Sequence, residues 1–142
     1  MIGIIVTGHG NFADGLLSAS QVIVGAQEHL CAVNFPSGDT TENLRAKLER
    51  AVKDMDCKTV LFLTDLMGGT PFNQSAMIAE AAAGDCRVIS GTNLPALIAA
   101  IFGRTDGDVA ALANSLLASD EAKLHLYTSA KRAKSAQSAG GI

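Results

Sequence analysis

The chain has 142 residues, enough for one domain with a full core and little more. Hydrophobic residues at 48% and charged residues at 18% exclude a largely disordered chain, and a net charge of −3 argues against a surface built for nucleic acid or an anionic membrane. Trp is absent and aromatics reach only 4%, which argues against a base-stacking platform.

The first apolar run, Met1 to Thr7, is rich in β-branched residues and ends at Gly8-His9-Gly10, so it predicts a buried strand leaving into a tight loop. Asn11 is placed to cap a helix in which Phe12, Leu16, Ala19, Val22 and Ile23 recur at helical spacing, and Gly25 ends it. Leu30 to Phe35 predicts a second strand, stopped by Pro36-Ser37-Gly38. Asp39 or Thr40 opens the next helix, with Leu44, Leu48, Ala51, Val52 and Met55 on one face and charged residues on the other. Thr59 to Thr64 is apolar on both faces, the pattern of a central parallel strand.

After the loop Asp65-Leu66-Met67-Gly68-Gly69, Thr70-Pro71 predicts a helix start with a capping hydroxyl and proline at the first helical position. Arg87 to Ser90 is a short fourth strand. Leu94-Pro95 begins a helix with Leu97, Ile98, Ile101 and Phe102 on its apolar stripe. Asp106 to Leu117 is a last helical stretch, and Lys123 to Thr128 alternates as a half-exposed strand. Residues 129–142 turn to Ser, Ala, Lys, Gln and Gly and read as a flexible polar tail beyond a single domain at 1–128.

Alternating strands and helices predict an α/β three-layer sandwich: a mainly parallel sheet with helices on both faces. Ligands in such folds sit beyond the carboxyl ends of the strands, where the strand order reverses. With the order 2-1-3-4, the loops at Gly8-His9-Gly10 and at Asp65 to Thr70 become spatial neighbours.

The three cysteines, Cys31, Cys57 and Cys86, are odd in number and form no C-x-x-C pair, against a disulfide framework or a zinc ribbon. No apolar run approaches the roughly 20 residues that span a bilayer, and the first residues lack a signal peptide's basic flank and cleavage site. These features predict a cytoplasmic protein.

The two loops carry the chemistry. His9 stands between two glycines at a strand end, and histidine is a competent nucleophile near neutral pH when one ring nitrogen is bare. Asp65, at the end of the neighbouring strand, is placed to accept the N–H of the other ring nitrogen, which fixes the tautomer and steadies positive charge on the ring. Gly68, Gly69 and Thr70 add small residues, backbone N–H groups and a hydroxyl at a helix start, a setting that favours a phosphate. Together they predict phosphoryl transfer through histidine, in which positioning and charge stabilisation do most of the catalysis. His29, just before a strand, and His125, in the alternating segment, read as solvated bystanders.

Competing motifs fit less well. No G-x-x-x-x-G-K-[ST] is present, against a P-loop nucleotide site. Gly8-His9-Gly10-Asn11-Phe12-Ala13 keeps a dinucleotide site open as a rival, but the second strand ends in Asn34-Phe35 where an acidic residue is expected, Asp39 following a few residues later.

The segments Ile4-Ile5-Val6-Thr7-Gly8-His9-Gly10, Phe62-Leu63-Thr64-Asp65-Leu66-Met67-Gly68-Gly69-Thr70-Pro71-Phe72-Asn73 and Ser90-Gly91-Thr92-Asn93-Leu94-Pro95 resemble, in order, those of the enzyme IIA component of the mannose family of the bacterial sugar phosphotransferase system. The resemblance implies a phosphocarrier whose His9 accepts a phosphoryl group from HPr on Nε2, with Asp65 as its partner, and passes it to enzyme IIB, acting with the membrane components IIC and IID. It implies a homodimer in which a last strand, here Lys123 to Thr128, is exchanged onto the partner's sheet. It implies that neither metal nor nucleotide is needed. Related domains keep the same histidine for other outputs, so a phosphohistidine regulatory module, or a phosphodonor subunit of a glycerone kinase, is the alternative.

Overall fold

In the computed structural model, residues 1–130 are described. Four strands, β1 (Gly3–His9), β2 (Leu30–Phe35), β3 (Val60–Thr64) and β4 (Cys86–Ile89), form one parallel sheet in the order β2-β1-β3-β4. Five helices connect and flank them: α1 (Phe12–Val24), α2 (Thr41–Met55), α3 (Thr70–Ala81), α4 (Leu94–Gly103) and α5 (Val109–Ala118). Short 3-10 turns occupy Arg104–Asp106 and Asp120–Ala122.

The central strands are apolar on both faces because both faces are covered. Ile4, Val6, Leu61 and Leu63 pack with α1, α4 and α5, whereas Ile5, Val60 and Phe62 pack with α2 and α3. Chain direction across the sheet reverses after β2, so right-handed crossovers place α1 on one face and α2 and α3 on the other. That reversal opens a crevice at the carboxyl ends of β1 and β3, where the strands deliver His9 and Asp65.

The helices follow local signals, with instructive departures. Thr40 caps α2 by accepting from the Asn43 N–H at 3.1 Å, as its sequence predicts. Asn11 stands before α1 but makes no capping bond. The buried stripe of α1 runs through Ala13 and Ser20, flanked by Phe12, Leu16 and Val24, while Val22 and Ile23 face out. Ser20 tolerates burial because its hydroxyl donates to the Leu17 carbonyl at 2.8 Å, a bond within the helix that composition alone does not reveal. Phe102, predicted on the apolar stripe of α4, is exposed as well. The single helix predicted over 106–117 is shorter: left-handed Gly107 interrupts the chain, and Asp108 caps α5 through the Ala111 N–H at 3.0 Å.

Lys123 to Thr128 forms no ladder with the other described residues of this single chain, and Leu124, Leu126 and Tyr127 are almost fully exposed. A strand exists only through its ladder, and the sheet of one chain stops at β4. Of the predicted polar tail, residues 131–142 lie outside the described residues. Cys31, Cys57 and Cys86 are free and half-buried, and burial, with the nearby Asp54 charge, pushes the Cys31 thiol up to about 11.

Candidate functional site

β1 sits between β2 and β3, so its last residue, His9, has a neighbour from each side. On the β3 side, Asp65 Oδ2 accepts from the His9 backbone N–H and lies 2.8 Å from Nδ1, each contact being 2.8 Å long. Its other oxygen, Oδ1, accepts from the Leu66 N–H at 2.7 Å. Burial pushes the Asp65 carboxyl up, but the hydrogen bonds from His9 and Leu66 and the charge of His9 outweigh it and hold the group below its ordinary value. An ionised carboxylate only accepts, so Nδ1 carries the proton in this contact, and in the neutral form of the ring Nε2 keeps a bare lone pair. The His9 side chain is 48% exposed and Asp65 16%, so the imidazole is open to a partner while its orienting group is sheltered.

The loop after β3 closes the floor of the site. Gly68 adopts a left-handed conformation with φ 80°, and its carbonyl accepts from the Asn73 side-chain amide at 3.0 Å. Gly69 lies against the imidazole: a methyl group built on it would fall 2.8 Å from Cε1 and 3.5 Å from Nε2 of His9. Gly8 is crowded from the other direction, since a methyl there would meet Phe12 Cδ1 at 2.4 Å and Asp65 Cγ at 2.9 Å. The glycines around His9 and Asp65 thus mark close approach of backbone to the reacting groups.

Gly69 is the N-cap of α3, so Thr70 is the first helical residue rather than the cap the sequence predicted. Its hydroxyl makes no hydrogen bond to another described residue, and the first turn of α3 presents N–H groups that lack intrahelical acceptors. A methyl on Gly68 would meet nothing within 4 Å, whereas one on Gly69 would press on the imidazole.

Other parts escaped the sequence reading. The Gly91 N–H donates to the Asp65 carbonyl at 2.9 Å and the Thr92 N–H to the Thr64 carbonyl at 3.1 Å, so the loop after β4 pins the strand end that carries Asp65. Asn73 closes the motif that carries the resemblance, but its bond to the Gly68 carbonyl is visible only in the structure. On the β2 side, the Phe35 ring stands 5.9 Å from the imidazole, centroid to centroid, at 64°. Only strand register brings those two residues together. His29 lies at the opposite, amino end of β2, exposed, with Nδ1 3.2 Å from the Met55 carbonyl. His125 is exposed too, with Nε2 2.9 Å from the Asp120 carbonyl.

An imidazole held at Nδ1 by a carboxylate, beside a glycine-rich helix start, has the chemistry to take up a phosphoryl group. The sequence profile of the EIIA-man family, described as "PTS system fructose IIA component", matches residues 3–117. The fructose-specific EIIA component of Bacillus subtilis is 38% identical over 120 residues, covering 83% of this chain and 81% of that protein. The mannose-specific EIIAB component of Escherichia coli K12 is 34% identical over 106 residues, covering 74% of this chain and 32% of that longer protein. A crystal structure of the EIIA component from Streptococcus agalactiae superimposes with a TM-score of 0.77 at 42% identity, covering 83% of this chain and 91% of that one. The chain belongs to the mannose-type enzyme IIA family, the phosphotransferases of the bacterial sugar phosphotransferase system.

Proposed function

We propose that His9 is the phosphoryl carrier of this enzyme IIA, with Nε2 as the nucleophile, Asp65 as the orienting carboxylate, and Gly68, Gly69 and Thr70 as the cradle for the transferred group. The observation that carries this reading is the Asp65 Oδ2 contact with Nδ1 of a half-exposed imidazole. Members of the family take their phosphoryl group from HPr and hand it to enzyme IIB. In the first transfer the Nε2 lone pair forms the new P–N bond while the bond from phosphorus to the donor breaks, its electron pair leaving with the donor. Nε2 holds no proton to lose. Positive charge spreads onto the ring, and the Asp65 carboxylate stabilises it through Nδ1–H. Transfer to enzyme IIB reverses the roles. With phosphoenolpyruvate, enzyme I and HPr supplied, the protein should acquire one acid-labile phosphate and His9→Ala none; a His9→Ala variant labelled like the parent refutes the assignment.

Leu66 and Met67, 63% and 77% exposed beside the site, supply an apolar rim for HPr and enzyme IIB to meet in turn. The carrier works in the cytoplasm, feeding the membrane components IIC and IID through enzyme IIB. No helix among the described residues is long and apolar enough to cross a membrane.

The working unit is a homodimer in which Lys123 to Thr128 adds to the partner's sheet beside β4. Two features support this: the alternating, exposed Leu124 and Leu126, and a groove of about 490 Å³ beside edge strand β4, lined by residues that include Phe72, Val88, Ile89 and Leu117. Sedimentation should give a dimer for the full chain and a monomer after truncation at Ala122; a monomeric full chain contradicts the exchange.

A further inference from the structure

We infer that Phe35 is a positioning residue for the phosphoryl-carrying imidazole, a fixed aromatic wall that holds the His9 ring with Nε2 facing outward. The inference rests on the reading of His9 as the carrier. Phe35 ends β2 exactly in register with His9 at the end of β1, so the two side chains stand next to each other on the α2 and α3 face of the sheet. Their centroids are 5.9 Å apart at 64°, an edge-to-face pair within the usual range for such contacts.

Phe35 is itself held from two directions. Its side chain packs half-buried against the core formed with Val33, Leu44 and Leu48. Its carbonyl accepts from the Gly10 N–H at 2.7 Å, in an antiparallel bridge that ties it to the chain immediately after His9.

The need for such a wall follows from the Asp65 contact. A single hydrogen bond to Nδ1 fixes one point of the ring but leaves it free to swing about the N···O axis. Gly69, which lacks the methyl that would fall 2.8 Å from Cε1, leaves the ring room on the loop side. Phe35 limits that swing from the β2 side, opposite Asp65. The imidazole therefore stands between a carboxylate and an aromatic ring while its side chain stays 48% exposed. Transfer between two imidazoles depends on aligned attack, so a ring that stays aimed shortens the search for the reactive geometry. An aliphatic side chain fills space but lacks the electrostatic part of an aromatic pair.

The test compares Phe35→Leu, Phe35→Met and Phe35→Tyr with the parent protein. Single-turnover transfer from phospho-HPr is measured across donor concentration, and the His9 imidazole is followed by 1H–15N NMR in the unphosphorylated protein. The Leu and Met variants should lower the saturating rate about three- to tenfold, the range that corresponds to one lost aromatic pair. Their half-saturating donor concentration should stay within about twofold of the parent's. Their imidazole spectra should show a smaller Nδ1–H tautomer population, and Phe35→Tyr should restore rate and spectrum together. Unchanged rates and spectra in both Leu and Met overturn the inference. A change confined to the half-saturating concentration overturns it too, making Phe35 a docking contact. Failure of the parent protein to take phosphate on His9 would instead remove the carrier reading, while the NMR comparison, which needs no phosphate, still decides whether Phe35 holds the ring.

Discussion

The Oδ2 atom of Asp65 accepts from the His9 backbone N–H and contacts Nδ1, so one oxygen fixes both the root of the side chain and the ring it carries. Asp65→Asn keeps the shape but replaces an ionised acceptor with an amide that supports either tautomer. Phosphoryl transfer should slow by about 10²–10⁴-fold, the usual span for lost acid–base support, in stopped-flow assays with phospho-HPr. The same carboxyl links stability to pH. Its value in the fold lies below the ordinary 3.8, so its stabilising effect is complete above that pH and fades as the pH falls through the lowered value. Thermal melts should therefore show the parent protein above Asp65→Asn near neutral pH, with the gap closing in strong acid. Gly69→Ala places a methyl 2.8 Å from His9 Cε1, where the ring must move. Transfer should fall by about 10²-fold, the effect of misplacing a reacting group by about an ångström, with the fold retained by circular dichroism. Transfer at the parent rate would show that the loop yields freely.

The central strands were legible in the sequence because strands buried on both faces need continuous apolar runs, and Ile4 to Val6 and Val60 to Leu63 have no other use. Phe62, fully buried between β1, β4 and the α2 and α3 layer, is a measure of that core. Phe62→Ala should cost about 3–5 kcal/mol in urea unfolding, and a loss much smaller than that would mean the layer collapses into the space left. Helix α1 was read less well, because hydropathy assigns Val22 and Ile23 to the interior and Ser20 to the surface, whereas the actual face is set by where α1 meets the sheet. The Thr70 cap slipped by one residue, since Gly69 can begin a helix without offering a side chain. Lys123 to Thr128 has strand-like alternation but no ladder among the described residues, because alternation does not provide a pairing edge.

Across the whole molecule, the order β2-β1-β3-β4 does the assembling. It sets β1 between a strand ending in Phe35 and a strand followed by Asp65, and turns two loops 56 residues apart into one site. His9 and Asp65 were legible from their motifs, and the strand alternation made their proximity an expectation. Phe35 was not, because a residue's partner across a ladder depends on register, which no local pattern records. The site lies at the carboxyl edge of the sheet, with the imidazole half-exposed and its carboxylate sheltered. Nitrogen-15 NMR of the phosphorylated protein tests the central claim most directly. Phosphorus coupled to Nε2 of His9, with Nδ1 still protonated and bonded to Asp65, is the expected result; phosphorus on Nδ1, or on His29 or His125, would contradict it.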